Sequence, residues 1–277
     1  RERAMKALVT GANGFTGSHL VKALQQRGDS VVGLVRKSSD LTRIKDTEIQ
    51  LVTGDITDRK SLRQAMQDVD TVFHTAAFVE LGLVDTARME RVNVEGTQAV
   101  LEIAKEVKIS KMVYCSTIGI YGDTKGEVID ETFERTQENF SSAYDSTKYE
   151  AQQLVDNYAV IGLPVVSVMP SGIFGADDPH FGPVFQLFLQ GKLKLWVAGD
   201  RITGIVHVDD LVDAMILAAE KGERGQHYII SAGELPSREM FEILSKETSI
   251  STPVEVPEPI VRRSEEHTSE LQSRETI

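Results

Sequence analysis

The chain has 277 residues, 41% hydrophobic and 26% charged, with 21 Gly and 8 Pro, the composition of an ordinary globular chain with a sizeable core, neither disordered nor collagenous. Thirty Lys and Arg against 42 Asp and Glu leave a net charge of −12, which repels nucleic acid and anionic membrane surfaces on average, so neither is expected as a partner. A single cysteine, Cys115, excludes an internal disulfide and clustered Cys/His zinc, so no metal is expected and a reducing cytoplasm fits. The longest uncharged run, residues 157–176, contains Pro164, Pro170, Gly162, Gly172 and Gly175, too many helix breakers for a membrane span.

Short β-branched runs alternate with longer amphipathic stretches, the pattern of a parallel sheet with helices on both faces. The first predicted strand, residues 6–10, runs into Thr10-Gly11-Ala12-Asn13-Gly14-Phe15-Thr16-Gly17 and a predicted helix at 16–27. Gly11 permits the tight turn, Gly14 lets backbone N–H groups approach a pyrophosphate, and Gly17 lets helix and strand pack closely; a strand before and a helix after turn this spacing into a dinucleotide expectation. The second strand, 30–36, ends in Arg36-Lys37 with Arg43 and Lys45 following. Arginine at this strand end suits a 2′-phosphate, so NADP is favoured, and nearby Asp40 keeps NAD as the alternative. After the third strand, 49–53, Gly54-Asp55-Ile56 offers a carboxylate to the adenine amino group, or equally an N-cap for the helix predicted at 58–67. A strand at 71–74 and a helix at 85–107 follow.

The strand predicted at 111–116 ends in Ser116-Thr117, hydroxyls placed to hold a substrate oxygen or to cap the turn. Two Tyr-x-x-x-Lys strings occur. Tyr121 to Lys125 contains Gly and Asp and lies in a loop, where a spacing of four has no geometric meaning. Tyr144 to Lys148 opens the helix predicted at 142–161, which puts both side chains on one face about 5–6 Å apart. There Lys148 can stabilise a phenolate on Tyr144, making the pair an acid–base candidate that also orients a nicotinamide ribose. A sixth strand is expected at 164–169. Beyond Pro170 the order loosens: Phe181, Phe185, Phe188 and Trp196 read as core more than pocket, then come a helix at 208–221, a strand at 227–231 and a helix at 237–246. The expected fold is therefore α/β, a doubly wound parallel sheet (Rossmann fold), with a dinucleotide domain at 5–170 and a small substrate-binding region mixed with returning Rossmann elements at 171–262.

In combination TGANGFTG (10–17), GDI (54–56), HTAA (74–77), NVEGT (93–97), STIGIYG (116–122), YDSTK (144–148), PSGIFG (170–175) and HVDDL (207–211) resemble the extended short-chain dehydrogenases/reductases, the NAD-dependent epimerase/dehydratase family. The resemblance implies Tyr144 as acid/base, Lys148 as its partner and Thr117 on the substrate oxygen. It also implies cofactor contacts from Thr75, Ala76, Ala77, Asn93, Pro170, Ser171 and Ile173, and homodimers built through helices that include the one bearing Tyr144. Where sugar-nucleotide dehydratases carry an Asp-Glu pair after the catalytic Thr, this chain has Ile118-Gly119; where nucleotide-sugar epimerases place an Arg four residues before the HVDDL histidine, it has Thr203, with Arg201 nearby. The sequence is closer to the dihydroflavonol-reductase, hydroxysteroid-dehydrogenase and hopanoid-associated epimerase-like branch. Hydride transfer between NADP(H) and a small secondary alcohol or ketone leads; an epimerase holding NAD tightly is the alternative, and a non-catalytic NADP sensor conflicts with the retained Tyr144, Lys148 and Thr117. Residues 1–4 precede Met5 and read as upstream translation. The string RSEEHTSELQS at 263–273 resembles a translated sequencing adapter, so 263–277 is expected to be a foreign tail after a truncated C-terminal region.

Overall fold

Successive side chains of β1 (Lys6–Thr10) point to opposite faces, so Leu8 packs on one side of the sheet and Ala7 and Val9 on the other, all fully buried. Burial on both faces is what a parallel strand requires, because its crossovers lay helices on each side. The computed structural model, which describes residues 4–79, 85–197, 199–200 and 202–256, carries this arrangement through α1 (Phe15–Arg27), β2 (Ser30–Val35), β3 (Gln50–Thr53), α2 (Arg59–Ala65), β4 (Thr71–His74), α3 (Thr86–Glu90), α4 (Gly96–Glu106), β5 (Lys111–Cys115), α5 (Ala143–Val160) and β6 (Val165–Pro170). After them come β7 (Gly172–Phe174), α6 (Gly182–Leu189), β8 (Leu195–Val197), β9 (Ile202–His207), α7 (Val208–Lys221), β10 (His227–Ile230), β11 (Gly233–Pro236), α8 (Ser237–Thr248) and β12 (Val254–Val256).

Seven parallel strands lie in the order β10-β6-β5-β4-β1-β2-β3, the doubly wound Rossmann sheet. The order reverses between β1 and β4, which opens a crevice at the carboxyl ends of the strands. On one face Leu8, Val72 and Met112 meet Leu62 of α2, Leu101 of α4 and Val155 of α5. On the other, Val9, Phe73, Val113 and Val166 meet Leu20 and Leu24 of α1 and Leu211 and Met215 of α7.

The described residues form two compact units: one from those up to Ile173 plus Val206–Ile230, which supplies α7 and β10, the other from those between Phe174 and Ile205 and from Ser231 to Val256. In the second unit β9 and β11 pair antiparallel, and β8 and β12 pair parallel. Its core is aromatic. Phe188 and Phe241 are buried with ring centroids 5.7 Å apart, and half-buried Trp196 meets Phe241 edge-on at 4.8 Å while donating to Ser237 Oγ at 2.8 Å. Phe181 and Phe185 stack at 6.3 Å and are half-buried.

The helix expected at 85–107 differs from that reading. A π turn at Arg91–Glu95 separates α3 from α4, and Asn93 within it is buried against the Phe78 backbone and Thr147 of α5. Residues 1–3, Arg201 and the string at 263–273 lie outside the described residues.

Leu101, fully buried between α4 and the sheet, sets a stability test. Leu101→Ala should cost about 2–5 kcal/mol in urea unfolding, whereas Val128→Ser, at a fully exposed position, should stay within about 0.5 kcal/mol of wild type.

Candidate active site

The glycine turn is built by close approach. Gly11 has φ +68, and a Cβ there would stand 2.9 Å from Ala76 Cα, so the position demands glycine twice over. Gly14 N–H donates to Gly11 O at 2.9 Å. A Cβ on Gly17 would fall 2.1 Å from Gly11 O, so α1 rises directly from the end of β1 only with glycine there. Among the described residues no side chain caps α1, and its first turn holds no acidic residue, which leaves its N–H groups open to an anion.

Above this turn a cleft of about 220 Å³ brings together Gly11, Asn13, Gly14, Arg36, Asp55, Ile56, Thr75, Ala76 and Ala77. Its lining also includes Gly54 of the GDI string, and Leu34, Val35, Ser39, Phe78 and Val92, which sequence reasoning did not single out. Phe15, Thr16 and Gly17 form the first turn of α1 beside it. Ser39 was legible in principle: it stands three residues after Arg36 and its Oγ accepts from Arg36 N–H at 3.0 Å, closing the turn. Asp40 is engaged locally through one oxygen: its Oδ1 accepts from Thr42 N–H at 2.9 Å and Thr42 Oγ1 at 2.6 Å. Those bonds, with Arg43 nearby, hold its carboxyl below the usual carboxylate range. The α2 cap is Asp58, which accepts from Lys60 N–H and Ser61 N–H, not Asp55. Asp55 uses Oδ1 for Thr57 N–H and Thr57 Oγ1, at 2.9 and 2.8 Å, and lines the cleft.

Under the cleft runs a buried chain of polar groups. Thr10 Oγ1 accepts from Ala76 N–H at 3.3 Å and is hydrogen-bonded to His74 Nδ1 at 2.7 Å, while His74 Nε2 is hydrogen-bonded to Thr97 Oγ1 at 2.9 Å. Burial, with the Lys148 charge, pushes the fully enclosed His74 imidazole down to about 3. Asn93 is 2% exposed. Its amide is engaged by the Phe78 backbone on both sides, at 2.7 and 3.0 Å, and by Thr147 Oγ1 at 3.0 Å, so it holds the cleft wall against α5.

The Tyr-Lys pair occupies the other side of the switch point. Lys148, 3% exposed, donates from Nζ to Cys115 O at 2.7 Å and lies 4.3 Å from the centroid of the Tyr114 ring. Burial pulls its ammonium down to about 8, opposed by Cys115. Half-buried Tyr144 stands one turn earlier; burial, with Cys115 and Asp145 adding to it, raises its phenol well above the usual range. Thr117 caps the short helical turn Ile118–Tyr121 by accepting from Gly119 N–H at 3.1 Å, which leaves its own hydrogen to donate elsewhere. Tyr121 is core: 4% exposed, donating to Met169 Sδ at 2.9 Å and packed on Phe133. The segment leading to α5 is gathered by Arg135, whose guanidinium donates to the carbonyls of Ile120, Gln137 and Asn139 and sits 4.1 Å from the Phe140 ring centroid.

Ser116 and Ser171, 4% and 5% exposed, directly follow β5 and β6 with Oγ atoms that find no partner among the described residues. Pro170 closes β6 opposite Ile230, and Ile173 packs on the α1 and α7 side of the sheet. Buried hydroxyls without partners at the ligand edge of a sheet, together with an uncapped helix over a glycine cradle, fit a bound dinucleotide.

Strand order and glycine geometry define the class: a Rossmann-fold, dinucleotide-dependent enzyme. Within that class, the chain belongs to the NAD dependent epimerase/dehydratase family, whose pattern matches residues 7–231, and it is an oxidoreductase of the extended short-chain dehydrogenase type. It is 34% identical over 246 residues, 88% of this chain and 73% of the relative, to 4-hydroxy-2-methyl-3-oxo-4-farnesyl-3,4-dihydroquinoline-1-oxide ketoreductase of Stigmatella aurantiaca. To 3-beta-hydroxysteroid dehydrogenase of Mycolicibacterium neoaurum it is 33% identical over 244 residues, 83% of this chain and 66% of that one. The crystal structure of Thermus thermophilus UDP-glucose 4-epimerase in complex with NAD superposes with a TM-score of 0.80 at 25% identity, covering 91% of this chain and 86% of that one.

The enclosed imidazole carries a pH signature. Below 6.5 the unfolded chain takes up a proton at this histidine that the folded protein refuses until about 3. The His74 contribution is therefore present above 6.5 and is lost as pH falls from there toward 3, with a slope of at most about 1.4 kcal/mol per pH unit. Urea unfolding at a series of pH values should show that slope reduced in His74→Gln.

Proposed function

We propose that the protein transfers a hydride between NADP(H) and a secondary alcohol or ketone, with Tyr144 as acid/base, Lys148 as its charged partner and Thr117 as a second donor to the substrate oxygen. The observation that carries this reading is the buried Lys148 ammonium, held on the Cys115 carbonyl one helical turn from Tyr144. When bound, the dinucleotide supplies or accepts the hydride. Tyr144 keeps its proton at neutral pH because burial and the Asp145 charge oppose its loss, the state needed to donate to a carbonyl oxygen. The Thr117 hydrogen, free of the Gly119 bond, serves the same oxygen. Only one Lys148 hydrogen is committed to Cys115, and the others suit a nicotinamide ribose.

Gly11, Asn13, Gly14, Phe15, Thr16 and Gly17 would hold the pyrophosphate, Asp55 and Ile56 the adenine, and Thr75, Ala76 and Ala77 the middle of the cofactor. Pro170, Ser171 and Ile173 would meet its nicotinamide end, with Asn93 acting through the Phe78 backbone. The second unit would supply most of the substrate-binding region. NADP over NAD is supported by Arg36 in the cleft and by Asp40 being turned to Thr42. A ketone substrate is supported by the ketoreductase activity of the Stigmatella relative and by Ile118-Gly119 standing where dehydration would need carboxylates.

Tyr144→Phe should lower turnover about 100-fold or more with cofactor affinity nearly unchanged, while Tyr121→Phe leaves the chemistry largely intact. Steady-state NADPH oxidation over a ketone panel checks both, and product epimers without net cofactor consumption would favour an epimerase instead. Arg36→Ala should weaken NADP about 10- to 100-fold and NAD little, by titration calorimetry, because a charge-assisted bond to the 2′-phosphate is lost only with NADP. Equal loss for both cofactors would remove Arg36 from this role.

A further inference from the structure

Gly119 lies in the short turn capped by Thr117, and its missing side chain is filled from elsewhere. A Cβ on Gly119 would stand 2.5 Å from Asp145 Oδ1 and 3.5 Å from Thr117 Oγ1. The Asp145 carboxylate and the Thr117 hydroxyl therefore flank the same vacant point, one from the first turn of α5 and one from the end of β5. This carboxylate is anchored: Oδ2 accepts from Ser141 Oγ and from Ser142 Oγ at 3.0 Å, and Ser142 Oγ in turn accepts from Asp145 N–H at 3.1 Å to cap α5. An acidic side chain in a first helical turn is further held by the helix dipole. Tyr144 is its immediate neighbour in sequence.

We infer that Asp145 is a positioning residue, its carboxylate interlocked with Gly119 so that the turn bearing Thr117 and the helix bearing Tyr144 keep one spacing. The inference rests on the reaction proposed above, since that reaction gives the two hydroxyls a shared oxygen to hold. Two donors aimed at one atom tolerate little relative movement, so a loosened interlock lowers turnover more than it lowers binding. A side chain at position 119 must displace the Asp145 carboxylate, which disturbs the bonds its Oδ2 accepts from Ser141 and Ser142. The carboxylate adds to the burial that keeps Tyr144 protonated, alongside Cys115, while Lys148 on α5 and Tyr114 on β5 also face this region.

The test is a double-mutant cycle in the full chain with Gly119→Ala, Asp145→Ala and the pair, plus Asp145→Asn as the conservative variant that keeps an acceptor for both serines. Each single alanine variant should lower kcat about tenfold or more, with KM and the NADP dissociation constant changed by less than about threefold. The pair should be no worse than Asp145→Ala alone, because the clash exists only while the carboxylate is there. Asp145→Asn should recover most of the Asp145→Ala loss. Multiplying effects, a silent Gly119→Ala, or losses that fall on KM instead of kcat would each overturn the inference. If the wild type turns over no ketone or alcohol, the proposed reaction fails and the interlock is read from melting temperatures of the same proteins. Gly119→Ala should then lower the melting temperature with Asp145 present and leave it unchanged in the Asp145→Ala background; equal losses in both backgrounds would overturn the interlock by itself.

Discussion

A helix can rise directly from the end of β1 only because two glycines let it approach the turn below contact distance for any other residue. With Gly17 closing on the Gly11 carbonyl and Gly11 closing on Ala76, three pieces of chain converge at the switch point of the sheet. The uncapped first turn of α1, the end of β1 and the segment after β4 then share one crevice. Everything that lines the cleft inherits its position from that convergence, including Arg36 on the neighbouring strand end. The same crowding encloses the polar chain through Thr10, His74 and Thr97, whose members are buried and hydrogen-bonded to one another.

On the far side of the switch point the organising group is a buried cation. Lys148 has exchanged water for one carbonyl and one aromatic face, a costly arrangement for a charged group. Such costs concentrate where a charge is used. The neighbouring hydroxyls follow the same logic, for Ser116 and Ser171 are enclosed without partners among the described residues at the strand ends, where a core would place apolar side chains.

Local pattern was sufficient for the sheet. Each central strand is buried on both faces and reads as an apolar run, and each crossover helix has one apolar stripe, so alternation and turn chemistry located them within a residue or two of their observed ends. The glycine turn was legible because its requirements are local. The π turn in the α3 to α4 run was not, since nothing in the sequence of residues 91–95 announces an extra residue; it is set by Asn93 reaching Phe78 and Thr147, partners distant in sequence. Arg135 was illegible for the same reason, its three carbonyls coming together only once the segment before α5 has folded. Asp55 against Asp58 shows the limit at short range, where two carboxylates three residues apart satisfy the same capping pattern and only geometry assigns the cap.

The chain leaves the first unit after Ile173 and comes back for α7 and β10, and this detour has a kinetic side. Strand β10 lies at the edge of the sheet and pairs with β6 in parallel, so that edge stays open while residues 174–205 are being made and until residues 227–230 arrive. Closing so long an excursion costs chain entropy before any ladder bond compensates it. During synthesis the six earlier strands can assemble as a sheet whose β6 edge presents unpaired N–H and C=O groups, the kind of surface on which nascent chains mispair. The last strand of the seven-stranded sheet therefore works as a late clasp, and its arrival covers the β6 edge that the earlier strands leave open.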